Sequence, residues 1–579
     1  MHYLDLSIIA LYFVISISIA LYYSKRAGKS MDEFFLSGRN LPWYLAGISM
    51  VATTFAADTP LAVTELVANN GIAGNWLWWN FAIGGILTVF FFARLWRRAG
   101  ILTEVEFVEI RYSGKPAKFL RGFRAVYLGL FMNVIIIGWV NKAMSSILVG
   151  MFGVDEATVY FYVFGCMAIV AIYSAVSGLW GVVVSDAFQF VLAMTGCIIL
   201  AIIVVNLPQV GGIAGLKNNL PEFTFDYFPE ITNVSSVVGT FALTLSSFLA
   251  YIGIVWWASW YPGAEPGGGG YVAQRMMSAK NEKHSLLATL FFQVAHYAIR
   301  PWPWIIVGLC TLVLYPELAQ DEKRMGFIYV MNDFLPVGLK GMLIAAFFAA
   351  YMSTIATQLN WGASYLINDF YKRFLRRNAG EKHYVKSSRL ATLLLMLISV
   401  TVTLFINRIS GAWEFILECG AGVGLVLILR WFWWRINAWS EISAMITPFI
   451  VYPLTLAAGL NFPDTIFIIV PVTTIVWITV TFLTKPTDES VLLSFYKRVY
   501  PGGRLWKQIS SQLPDIKEEN VFFKMFINWI FGVFLVYSIL FGTGKLIFGE
   551  YFDFGIYAAF ATVSVIVVVI NLFVLHREN

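Results

Sequence analysis

Apolar runs of roughly 20 residues alternate along this chain with short polar segments, and a run of that length predicts a helix that crosses a bilayer. About fifteen such runs fall near 5–23, 43–68, 73–96, 123–149, 157–178, 181–206, 236–261, 286–315, 338–368, 388–409, 411–431, 438–460, 464–484, 523–545 and 553–575. No soluble domain fits between them. If the runs alternate in direction, SKRAGKS, the stretch from RLWRR through GKPAKFLRGFR, QRMMSAKNEKH, YKRFLRRNAGEKHYVKSSR and KRVYPGGRLWK all fall on one side, and the acidic PEFTFDYFPE falls on the other. Excess Lys and Arg marks cytoplasmic loops, so the pattern predicts an outside N-terminus, an odd number of spans and a cytoplasmic HREN tail. The first run has no Lys or Arg before it and SKRAGKS after it, the reverse of a cleavable signal, and reads as an uncleaved span.

Two of the predicted spans are interrupted. The second contains ATTFAADTP, with Pro60 at mid-depth, and the seventh ends in YPGAEPGGGGY, where helix breakers run from Pro262 to Gly270. Broken helices expose backbone groups, which hydrocarbon tolerates only where they line a cavity or bind a solute. With the first span peripheral, the breaks open two successive five-helix sets. This predicts an all-α polytopic membrane protein with an inverted-repeat core at 43–431, a peripheral helix and loop at 1–42 and peripheral helices at 432–579.

The run GLKGMLIAAFFAAYMSTIATQLNWGASYLINDFYKRF places Ala349, Ala350, Ser353 and Thr354 at its middle. The small residues allow close backbone approach, and the adjacent hydroxyls are hard oxygen ligands suited to a small cation. They could equally bond back to their own helix.

Composition agrees with a membrane protein: 59% of the 579 residues are hydrophobic and 13% charged, against about 25% charged in soluble domains. The mean hydropathy is +0.72. The net charge of +6 is spread over the loops, so it implies no nucleic-acid partner. Cys166, Cys197, Cys310 and Cys419 lie inside apolar runs and read as packing residues. Neither H-E-x-x-H nor G-x-S-x-G occurs, which argues against an enzyme, and the segment 485–519 is too short for a fused signalling domain. His296 and Arg300 lie one helical turn apart, and a buried guanidinium needs acceptors such as Asp58, Glu65, Glu265 or a bound anion. We expect Asp58 or Glu265 to pair with Arg300, and His296 to face the solute. Trp76, Trp78 and Trp79, before Asn80, read as a stacking surface or, for at least two of them, an interfacial aromatic belt. Glu414 and Glu418 suggest a gate or hydrated vestibule, and Lys142 is near enough its helix end to snorkel.

Several segments taken together resemble the sodium:solute symporter family. EFFLSGRNLPWYLAGISMVATTFAAD, LTEVEFVEIRY, YSAVSGLWGVVVSDAFQ, QRMMSAKNEKHS and LPVGLKGMLIAAFFAAYMSTIATQLNWGASYLINDFYKRF match successive family segments in order. The resemblance implies the leucine-transporter-type fold, alternating access and Na+ as the coupling ion. Carried over position by position, it implies a sodium site made by the carbonyls of Ala52, Phe55 and Ala350 and the hydroxyls of Ser353 and Thr354. Asp186 matches an acidic position near a further cation site or exit route, or else caps a helix at the interface. Sugar-transporting relatives present polar side chains where this chain has Thr59, Trp78, Gly269, His296 and Leu417, so a sugar pose cannot be copied. With Asp58, Glu265, Tyr271 and Arg300 these make the candidate solute site. LRWFWWRINAWSEIS also departs, with aromatics and Glu441 where small residues are usual. The implied function is a sodium-coupled symporter of the cell membrane importing a small polar organic solute, a sugar or sugar-like compound, otherwise an amino acid or carboxylate. Its partners are that solute and the lipid bilayer, with no obligate protein. The alternatives are proton coupling through Asp58, Glu65 and His296, and a non-transporting sensor.

Overall fold

The computed structural model describes residues 1–579 except 233–241, 245–247, 321, 407–408, 515, 517–520 and 578–579. The described residues are overwhelmingly helical, as hydrocarbon requires of a backbone that must satisfy its own polar groups. A three-residue parallel pairing of Glu230–Thr232 with Ala242–Thr244 accompanies them. Among the described residues, eleven helices are long and apolar enough to cross a membrane, and Trp43–Thr53, Val159–Ala175 and Val423–Phe432 are shorter apolar helices. Within the predicted seventh span, 236–261, residues 236–241 and 245–247 lie outside the described residues and Ala242–Thr244 are in the pairing, and the described helix ends at Ala258.

Burial grades the helices. The most apolar stretch of Leu339–Leu375 is 94% enclosed by protein, whereas those of Tyr3–Ala27 and Tyr551–Leu572 are 28% and 11% enclosed and face outward. The small residues that line Leu339–Ser364 let Val159–Val205 and Tyr3–Ala27 pack closely on it. Asp5 ties the first helix to this central one, accepting from the backbone amides of Gly338 and Gly341 at 2.8 Å each.

The first predicted break separates Trp43–Thr53 from Thr59–Asn70, and the second separates the helix ending at Ala258 from Gly270–Ser278. A third break, which the apolar pattern at 411–431 hides, falls between Ile409–Cys419 and Val423–Phe432. It packs on the second break: the amide of Gly422 donates to the Ala258 carbonyl at 2.9 Å, and a Cβ at Gly424 would lie 2.0 Å from the Trp257 carbonyl oxygen. Only glycine permits that approach. ECGAGVG was the signal for it.

Trp76 and Trp79 are not a lipid-facing belt. Both are buried, and Tyr537 and Phe541 of Phe522–Ile547 pack on them while the Trp76 indole donates to the Tyr227 carbonyl at 2.8 Å. An apolar surface serves a neighbouring helix as well as it serves lipid, so the pattern alone does not separate the two. Lys142 bonds the Tyr160 hydroxyl at 3.1 Å, and Glu418 is buried and accepts from the Thr465 hydroxyl at 2.7 Å rather than lining an open vestibule. The Glu414 side chain lies outside the described residues.

Candidate functional site

A helix that stops inside a protein leaves its last carbonyls without partners and carries partial negative charge at that end. At the first break a cation meets it. Arg300 Nη1 donates to the Val51 carbonyl and to Thr54 Oγ1, each at 3.0 Å, and Nη2 donates to the Thr54 carbonyl at 2.9 Å. Arg300 is 1% exposed and makes no ion pair within 4.0 Å among the described residues, so the expected pairing with Asp58 or Glu265 is replaced by a bond to the broken helix itself. The reason is geometric: a rigid fork of donors fits three backbone and hydroxyl oxygens at a helix end as well as it fits a carboxylate. His296 Nδ1 shares Thr54 Oγ1 at 3.0 Å.

The second break has the opposite need. The half-helix Gly270–Ser278 begins with free amides, and Glu104 Oε2 accepts from the Gly270 amide at 2.8 Å. Glu104 is held in turn by Arg124 at 2.6 Å, by the Tyr365 hydroxyl at 2.9 Å and by Arg430 at 3.6 Å. Arg124 and Arg430 also reach Glu441, at 2.8 and 3.4 Å, and the Tyr112 hydroxyl donates to it at 2.6 Å. Glu441 belongs to the departure in LRWFWWRINAWSEIS, and this buried network is what the departure builds. Beside it, Glu109 bonds both Arg373 and Arg121, and Arg121 pairs with Asp369 at 2.7 Å. Burial alone would raise the Glu109 carboxyl, but the hydrogen bonds from Arg373 and Arg121 outweigh it and hold the group below the usual carboxylate range.

Between the breaks lies the candidate ion site. Thr354 Oγ1 donates to the Thr53 carbonyl at 2.8 Å, so the hydroxyl pair does meet the end of the first half-helix, though at Thr53 and not at the carried-over Ala52 or Phe55. The Ala52 carbonyl accepts from the Phe55 amide at 3.0 Å. Ala52, Phe55, Ala350, Ser353 and Thr354 are all buried. Ser353 Oγ donates to Asp186 Oδ1 at 2.6 Å and Ser49 Oγ to Oδ2 at 2.5 Å. Asp186 is 0% exposed, and its carboxylate is taken by these two hydroxyls. Arg275 closes the group, with Nη2 3.8 Å from Asp186 Oδ2 and donating to Thr357 Oγ1 at 2.8 Å. Its bonding partners and burial make this a dry cluster of oxygens around one carboxylate.

A cavity of about 100 Å³ opens beside these groups. Asp58, Thr59, Trp78, Tyr271, His296 and Arg300 line it as expected, whereas Glu265, Gly269 and Leu417 do not. Gly269 instead packs on Glu104 and Glu265, and Glu265 Oε2 accepts from the Gly263 amide at 3.1 Å within its own turn. Sequence reasoning missed Gln358 and Trp413. Gln358 is one turn beyond Thr354, on the same face, which was a usable signal.

The family model for the sodium:solute symporter family matches residues 34–448. The chain is 24% identical over 490 residues to a sodium/glucose cotransporter of Vibrio parahaemolyticus, covering 80% of this chain and 87% of that protein. It is 23% identical over 491 residues to sodium/glucose cotransporter 1 of Oryctolagus cuniculus, covering 77% and 71%. In fold it is similar to a Na+-coupled sialic acid symporter solved in a substrate-bound outward-open state, with a TM-score of 0.66, 20% identity and coverage of 84% of this chain and 99% of that one. With the broken helices, the hydroxyl pair and the cavity arranged as described, this chain belongs to the sodium:solute symporter family and has the leucine-transporter-type fold.

Proposed function

We propose that this sodium-coupled symporter imports a small polar organic solute by alternating access, with Ser353, Thr354 and the broken end of Trp43–Thr53 as the place where the ion acts. The observation that carries this reading is the bond from Thr354 to the Thr53 carbonyl beside the Ser353–Asp186 pair. It joins the central helix to the first half-helix through oxygens that can turn to a cation without leaving their backbone positions. In this reading the carbonyls of Ala52, Phe55 and Ala350 complete the shell, and Asp186 serves as a second cation position or exit route. Each charge entering with the potential contributes about 2.3 kcal/mol per 100 mV. A bound ion bridging two elements that move apart favours the arrangement in which both contribute, which is how occupancy biases the cycle. The transporter core is 43–431 and the helices outside it are peripheral, in line with their outward-facing surfaces. The N-terminus is outside and the C-terminus cytoplasmic, in line with the basic loops.

Uptake into proteoliposomes, with sodium present or replaced by choline at fixed pH, tests the reading. The Ser353→Ala/Thr354→Ala variant is expected to remain folded and to lose sodium activation. Undiminished activation in that variant would remove the ion site from these residues, and uptake driven by a pH gradient without sodium would replace the coupling ion by a proton.

A further inference from the structure

The cavity beside Arg300 contains polar atoms that the protein does not satisfy. Asp58 Oδ1, Gln358 Oε1, Arg300 Nε and Trp413 Nε1 all belong to lining residues, and each is buried without a hydrogen-bond partner among the described residues. Asp58, Gln358 and Arg300 are 3%, 1% and 1% exposed. Buried polar groups left unpaired are costly, and a set of them on residues that line one cavity bears on what can bind there. Two of these atoms require donors and two require acceptors.

The two charges are not in equal need. Arg300 already donates three of its five N–H groups to the broken helix, and its Nε has no partner among the described residues, so the side chain can still take an acceptor. Asp58 heads the half-helix Thr59–Asn70 but makes no capping bond with its side chain, and among the described residues no cation lies within 4.0 Å of it. Aromatic pairs form part of the walls: Trp78 stacks on Tyr297 at 5.7 Å and Phe81 on Tyr261 at 5.4 Å. A bare carboxylate oxygen in such surroundings is met best by a cation, and aromatic faces favour the same charge.

We infer that the solute is amine-bearing, with a protonated amino group against Asp58 and a carboxylate or hydroxyl acceptor towards Arg300. The inference rests on the reading of this cavity as the solute site. The chemistry covers amino acids and amino sugars and disfavours neutral sugars and simple carboxylates.

Matched pairs that differ only at the amine test it: D-glucosamine against D-glucose, L-alanine against L-lactate, and L-phenylalanine against L-phenyllactate. Binding in sodium is read by thermal shift and tryptophan fluorescence of the full chain. At least one amine-bearing member is expected to bind ten or more times more tightly than its partner, about 1.4 kcal/mol. Asp58→Asn is expected to erase that preference while sodium still shifts the melting temperature. The assignment is overturned if no amine-bearing probe binds, if a partner lacking the amine binds as tightly, or if Asp58→Asn keeps the preference. It is also overturned if Asp58→Asn removes only the sodium response, which would give Asp58 to the ion. A cavity-filling Ala62→Trp variant separates the two levels. If it leaves solute binding intact, the site reading itself fails, whereas loss of binding with no amine preference overturns the solute class alone.

Discussion

At the first break the exposed backbone groups are carbonyls, and the guanidinium of Arg300 serves them; at the second they are amides, and the carboxylate of Glu104 serves them. The two ends of a helix carry opposite partial charge, so each broken helix recruits the counter-charge its orientation demands. The difference lies in what stands behind each counter-charge. Arg300 comes from a single helix with no carboxylate in ion-pairing range among the described residues, and it lines the cavity. Glu104 sits in a closed network with Arg124, Arg430, Glu441, Tyr112 and Tyr365, in which each charge has more than one partner. The break beside the cavity has the looser support, and the other is clamped.

The largest effect is expected from removing the centre of the clamp. Arg124→Ala removes the shortest ion pair of both Glu104 and Glu441 and leaves Arg430, at 3.6 and 3.4 Å, as their shared guanidinium in a buried interior; breaking a buried pair destabilises by about 3–5 kcal/mol. Thermal unfolding in detergent should fall sharply, and the double variant Arg124→Ala/Glu441→Gln should recover part of the loss. A melting point unchanged by Arg124→Ala would show that the clamp is ornamental.

Arg300→Lys comes next. An ammonium keeps the charge but not the fork, so it cannot reach the Val51 and Thr54 oxygens together, and one charged hydrogen bond lost is about 1.5–3 kcal/mol. Solute uptake should fall by tenfold or more, with stability less affected than in Arg124→Ala. Equal damage to stability in the two variants would erase the distinction between a loosely supported and a clamped break.

A smaller effect is expected at Gly268, in the turn before the clamped half-helix. Its φ is +75°, and a Cβ there would lie 2.9 Å from both Met276 Cε and Thr88 Cγ2. The left-handed conformation alone costs an alanine about 1–2 kcal/mol. Gly268→Ala should lower the melting temperature modestly and slow uptake, and wild-type kinetics would mean that this turn does not move in the cycle.

The smallest effect concerns acid. Glu109 is held below its unfolded value of 4.5, so its contribution to stability is complete above that pH and is lost as pH falls through the folded value. The melting point should therefore decline below about pH 4.5, and Glu109→Gln should flatten that part of the decline. An unaltered acid limb in the variant would assign the loss to other carboxylates.

The sequence by itself determined the all-helical membrane character, though not the number of spans, two of the breaks and the hydroxyl pair, because each is written in local composition: apolar runs near bilayer length, strings of Pro and Gly, and adjacent Ser and Thr on a small-residue helix. It could not separate Trp78, which faces the cavity, from Trp76 and Trp79, which are covered by a helix more than 400 residues away. Nor could it choose the partner of Arg300. A guanidinium requires acceptors, but carbonyl and carboxylate oxygens both satisfy it, and which is in reach depends on how Glu282–Leu314 crosses Trp43–Thr53. The same holds for Glu441, visible as an oddity in its segment and explained only by Arg124 and Arg430 beside it. Local chemistry sets what a residue needs, and the tertiary structure decides which distant group supplies it, because pairing energies fall off within a few ångströms while the partners lie hundreds of residues apart.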